Sequence, residues 1–174
     1  MASDRLTSII TTSASPVHPS LELIEQVLRS IRWYASALCA CRTIIVCDGC
    51  QLAPASGGAP RFRSGVVDAE HAERYAEYKR QLRAFADADT AAGHHRLELL
   101  ELPVRHGFGG AVAAALELVA TPAVCVMQHD RTFMREVDVS ELARALLDAN
   151  GRIGSREPRH HSASLSPQRG ATSA

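Results

Sequence analysis

Four polar clusters in this chain each stand directly after an apolar run: Thr12-Ser13-Ala14, Asp48-Gly49, Arg105-His106-Gly107 and Gln128-His129-Asp130. Together they offer hydroxyls, carboxylates, a guanidinium, an amide and imidazoles, a set suited to holding a phosphorylated nucleoside. A diphosphate needs cationic compensation, and Mg²⁺ or Mn²⁺ prefers hard carboxylate oxygen, so Asp130 is the candidate metal ligand. Asp48 is the candidate acceptor for hydrogen bonds from a nucleoside, and the hydroxyls of Thr12 and Ser13 are candidates for contact with a base. Arg105 precedes a glycine-rich stretch at a helix start, where backbone N–H groups and the macrodipole favour an anion.

Each cluster taken alone also has a plainer reading. Asp48-Gly49 is equally compatible with a turn. The run Arg105 to Gly110 lacks the spacing of a dinucleotide fingerprint, and its glycines are compatible with a turn that needs positive φ. Asp130 could cap the segment after it, and His129 alone is more often structural than a ligand.

The elements that must position these residues alternate along the chain. Leu6 to Thr12 is short and β-branched and reads as a strand. Pro19-Ser20 opens a helix, with Ser20 as N-cap and Leu21, Ile24, Val27, Leu28 and Ile31 on one apolar face. Thr43 to Cys47 is a buried strand ended by Asp48-Gly49. Gln51 to Gly65 reads as a loop, and Val67 to Ala86 as a helix with Tyr75, Tyr78, Leu82 and Phe85 inward. Arg96 to Leu102 is a third strand, Ala111 to Ala120 a helix, Ala123 to Met127 a fourth strand, and Ser140 to Asn150 a last helix stopped by Gly151. The order β-α-β-α-β-α-β with apolar strands predicts an α/β fold: a Rossmann-like, mostly parallel sheet with helices on both faces. In such a sheet ligands sit beyond the carboxyl ends of the strands, at the point where strand order reverses. That is the edge where all four clusters fall.

Bulk properties narrow the classes. The 174 residues suffice for one domain with a core, and 46% hydrophobic with 22% charged residues is ordinary for a globular protein. Formal net charge is zero, which argues against a nucleic-acid partner. No apolar run reaches the roughly 18 residues that cross a bilayer. The N-terminus lacks a secretory pattern, so the expected location is cytoplasmic. Cys39, Cys41, Cys47 and Cys50 form C-x-C and C-x-x-C pairs, with Cys125 apart. A zinc or redox site is one reading, and small hydrophobes in strands the stronger one. From Gly151 to Ala174 the apolar pattern collapses, and this tail reads as disordered.

With these residues in place, the chain resembles the GT-A glycosyltransferases, specifically the broad family-2 nucleotide-sugar transferases. The segments TSIITTSASPVHPSLELIEQVLRSI, TIIVCDG and VRHGFGGAVAAALELVATPAVCVMQHD resemble, in family order, the first strand with its loop and helix, the second strand with its Asp-Gly, and the turn, helix and strand leading into D-x-D. The resemblance covers about Leu6 to Asn150, with a loop-plus-helix insertion at Gln51 to Gly93. It implies a UDP- or GDP-sugar donor, a nucleoside role for Asp48, and a metal, Mn²⁺ or Mg²⁺, held by Asp130. Gln128 replaces the first Asp of D-x-D; it can bond a ribose hydroxyl but brings no charge to a metal, and Arg131 could contact phosphate in partial compensation.

Family members continue after D-x-D with a half that supplies the acceptor surface and the catalytic base. No base can be carried over here, and the acceptor stays unassigned. Residues 1–150 therefore read as an incomplete GT-A nucleotide-sugar-binding domain and 151–174 as an unrelated tail. Two alternatives remain. A nucleotidyltransferase of related fold would want basic residues after strand one, where this chain has SASPVHPS. In a non-catalytic binding domain the polar rim would be only caps and turns.

Overall fold

A computed structural model describes residues 4–54 and 59–154. Its centre is a four-stranded parallel sheet formed by β1 (Leu6–Thr12), β2 (Arg42–Cys47), β5 (Arg96–Glu101) and β6 (Ala123–Gln128), in the order β5-β2-β1-β6. Thr12 lies opposite Cys47 and Thr11 opposite Gln128, so the ends of β1, β2 and β6 are level. Strand order runs outward from β1 through β2 to β5, then returns to the other side of β1 for β6. The switch point is therefore the gap between β1 and β6 at their carboxyl ends. The sheet is α/β and Rossmann-like, as the alternating pattern predicts.

The central strands are sealed by their own composition. All seven residues of β1 are buried, and so are five of the six in β2, the signature of a sheet covered on both faces. One face carries α1 (Glu22–Tyr34), α2 (Ala69–Ala91) and α4 (Val139–Gly154). There Ile24, Val27, Leu28 and Ile31 meet Ile10, Ile45, Tyr75, Tyr78 and Leu82 in one core. The other face is closed by α3 (Gly107–Leu116), whose Ala111 and Ala115 sit on Ile9, Ile44 and Val46. Edge strand β5 alternates buried and exposed at its start, and Glu101 is tied to Lys79 at 2.9 Å and to Arg83 of α2.

Several boundaries depart from the expected ones. The stretch expected as a plain loop contains β3 (Gln51–Leu52) and β4 (Val66–Val67), a two-residue parallel pair. Val67 thus belongs to a strand, and α2 starts two residues later because the Asp68 carboxylate accepts the His71 N–H at 2.8 Å. Ser20 is not the cap of α1; Leu21 holds that position, and Ser20 Oγ accepts from the Glu22 N–H at 3.2 Å. The last helix does not stop at Asn150 but runs to Gly154, so the expected tail boundary shifts; from residue 155 on, that expectation lies outside the described residues. Among the described residues no helix is long and apolar enough to cross a membrane.

Candidate functional site

The chain crosses the carboxyl edge of the sheet four times, and the crossings are tied together. The Asp48 N–H donates to Thr12 O at 2.9 Å and the His129 N–H to Thr11 O at 3.0 Å, fixing the exits of β2 and β6 to β1. Below them stands an aromatic stack. Tyr75 Oη donates to Asp48 O at 2.8 Å, Tyr78 Oη pairs with Thr12 Oγ1 at 3.3 Å, and His18 stacks on Tyr78 at 3.9 Å between ring centroids. His18 is buried, and neither ring nitrogen has a hydrogen-bond partner. Burial, with His129 and Arg74 adding to it, pushes its pKa down to about 3.

Gly49 lets a third crossing pass close by. A Cβ there would collide with the backbone of Val104, so a side chain would displace the segment that carries Arg105 and His106 over β2. That approach brings the start of α3 onto Asp48: its Oδ1 accepts the His106 N–H at 2.8 Å, and its Oδ2 accepts the Gly107 N–H at 2.9 Å. Asp48 therefore caps α3 from a neighbouring strand, a service that α3's own cap residue, His106, does not provide. This explains why α3 begins at Gly107, four residues before the expected Ala111. Glycines are poor helix formers, but a carboxylate on the first N–H groups offsets that deficit. The anion expected at this helix start is a protein side chain.

A cavity of about 260 Å³ opens over these crossings, and it brings all six sequence-selected residues together: Thr12, Ser13, Asp48, Arg105, Gln128 and Asp130. They differ in what they have left to offer. The Thr12 hydroxyl is engaged with Tyr78, and the Asp48 carboxylate, 4% exposed, is engaged with α3. Ser13 and Gln128 are half-buried in the wall, and Asp130 stands at the mouth with a 47% exposed side chain. Burial holds the His129 imidazole below its ordinary range against the pull of Asp130, so the ring is neutral at neutral pH. Arg131 is absent from this lining; it is 77% exposed and borders an adjoining cavity of about 300 Å³ with Phe108, Val126 and Phe133.

Phe62 and Arg63, from the short helical turn Phe62–Ser64, line the cavity and were not among the expected residues. The signal was present, since Arg61-Phe62-Arg63 interrupts a stretch of small residues with two cations and a ring. Arg105 is tied to this turn: Nη2 donates to Arg63 O at 2.8 Å. The Arg105 side chain lies across Gly65, whose φ of +69° is the left-handed conformation that glycine adopts freely and where a Cβ would collide with the guanidinium.

The donor set does not fit a protein-held divalent metal. Among the described residues no three His, Cys, Asp or Glu side chains converge on one point. Asp48 is committed to α3, Gln128 carries no charge, and the Arg131 Nε is 3.9 Å from Asp130 Oδ1. All five cysteines are free thiols; burial raises Cys47 to about 12 and raises Cys39, Cys41 and Cys125 as well, the reverse of what a reactive thiolate needs.

No family model matches the chain. No curated protein matches it. Among solved structures it is similar to S. aureus TarS, a glycosyltransferase, at 14% identity over 84% of this chain and 20% of that one, with a TM-score of 0.48. The chain thus spans about a fifth of the length of TarS.

Proposed function

We propose that this chain is a glycosyltransferase-like domain that binds a nucleotide-diphosphate sugar, UDP- or GDP-linked, at the carboxyl edge of its sheet. The observation that carries this reading is the convergence of residues chosen for nucleotide chemistry on one polar cavity at the β1/β6 switch point. Ser13 and Gln128 supply neutral hydrogen-bonding groups of the kind a base and a ribose take. Arg63 and Arg105 supply cationic ones for phosphate. The cavity volume is just below the roughly 300–1,000 Å³ usual for small-molecule sites, and the adjoining cavity that shares Phe108 and Gln128 extends it. If the domain turns over, the sugar passes to an acceptor hydroxyl. No side chain in the cavity is assigned as the base.

The test is thermal unfolding of the full chain with a panel of UDP- and GDP-sugars, against ADP and NAD as controls. A ligand that binds the folded state alone raises the midpoint, by an amount that grows with the logarithm of one plus the ratio of free ligand concentration to Kd. The reading expects a rise with a UDP- or GDP-sugar that shrinks in Gln128→Ala. No rise with any of them would end it.

One observation favours a binding domain without turnover. Asp48 and Thr12, two of the rim groups, already hold structural bonds. Release of free sugar or its transfer to an added acceptor by the purified chain would separate an enzyme from such a domain.

A further inference from the structure

Within the polar cavity one cation is half-buried and incompletely bonded. Arg105 is 17% exposed and lines the cavity, and its Nη1, itself closed off from solvent, has no hydrogen-bond partner. Its nearest anion, Asp48 Oδ2, is 3.6 Å away and already accepts the Gly107 N–H. The fork is held in place by Nη2 on Arg63 O and by packing over Gly65, so its orientation is set before any ligand arrives. Arg63 lines the same cavity, and among the described residues its exposed side chain has no hydrogen-bond or ion-pair partner. Among the described residues the lining holds two carboxylates, the engaged Asp48 and the exposed Asp130.

We propose that Arg63 and Arg105, and not a divalent cation, take the charge of a ligand's diphosphate in this cavity. A buried donor left without an acceptor is costly, and a phosphate oxygen at Nη1 would satisfy it. A guanidinium matches phosphate geometry with two parallel N–H groups and needs no metal to do so. Arg63 brings one positive charge, and Arg105 a second that it shares with Asp48 at 3.6 Å, to the two ionised oxygens of a diphosphate diester. A single carboxylate at the mouth, beside Arg131, supplies neither the number nor the grouping of ligands that would hold an ion in advance. This inference rests on the nucleotide-sugar reading for the identity of the ligand, but it concerns the diphosphate alone.

Titration calorimetry of the full chain with inorganic pyrophosphate, in EDTA and again with Mg²⁺, tests it. The expected result is binding in EDTA that Mg²⁺ improves by no more than about twofold. It should weaken about tenfold in Arg105→Gln and several-fold in Arg63→Gln, and change little in Asp130→Ala. Thermal midpoints check that the variants fold; should Arg105→Gln unfold, exposed Arg63→Gln decides alone. Binding that requires Mg²⁺ and disappears in Asp130→Ala overturns the inference, as does no binding in either buffer. Pyrophosphate bound through the arginines while every nucleotide sugar fails removes the donor reading and keeps the arginine site. Sugar nucleotides bound only with Mg²⁺ do the reverse.

Discussion

The ends of β2 and β6 carry the same functional group in opposite circumstances. Asp48, at the end of β2, is 4% exposed, accepts two backbone N–H bonds and stands 3.6 Å from Arg105. Asp130, just past β6, is 47% exposed, with the Arg131 Nε at 3.9 Å as its nearest charged partner. Both follow an apolar strand and both face one cavity. The difference lies in what crosses above them. The segment after β5 passes close over Gly49 and delivers a helix start onto Asp48, whereas among the described residues no helix start reaches Asp130. One carboxylate is therefore part of the fold, and the other remains available at the surface.

The sharpest way to break that contrast is to remove each carboxylate in turn. Asp48→Ala should cost about 3–4 kcal/mol in urea unfolding, because it strips two N–H partners from α3 and leaves a mostly buried guanidinium without its counter-charge. Gly49→Ala should cost about 1–3 kcal/mol, since the added methyl forces Val104, and Arg105 with it, away from β2.

His18, in the stack beneath the Asp48 end, gives an effect of opposite sign. Its pKa falls from 6.5 to about 3, so between those values the folded chain holds fewer protons than the unfolded one. Stability is then full above pH 6.5 and is lost as pH falls toward 3, by up to roughly 3 kcal/mol over the first two units. His18→Phe keeps the stack on Tyr78 and removes two unpartnered nitrogens. It should stabilise by about 1–3 kcal/mol near neutrality and flatten the pH dependence of the unfolding midpoint. Tyr75→Phe, which frees the carbonyl of Asp48, should cost about 1 kcal/mol. Asp130→Ala should change stability by less than about 0.5 kcal/mol. A large loss there together with a small one at Asp48 would invert the comparison.

The sheet was legible in the sequence because its strands are continuous apolar runs. Each of β1, β2, β5 and β6 lies within one residue of its expected span, and the polar residues that follow them mark the cavity edge. Position along the chain did not reveal engagement. Asp48 and Asp130 look alike as strand-end carboxylates, and only the long-range approach of Val104 to Gly49 separates them. The same approach explains the early start of α3, where a tertiary cap overrides the low helix propensity of Gly107, Gly109 and Gly110. β3 and β4 are two residues each, too short to show alternation, so the turn that carries Arg63 to the cavity had no periodic signal.

The cavity between β1 and β6 is the proposed seat of a nucleotide diphosphate. Backbone amide chemical shifts of the isotope-labelled chain, recorded during titration with UDP and then GDP, test this at residue level. Shifts should concentrate at Ser13, Arg63, Arg105 and Gln128, and leave unmoved the separate cavity formed by Trp33, Tyr34, Val137 and Asp138. Shifts confined to that second cavity, or none with either nucleotide at millimolar concentration, would contradict it.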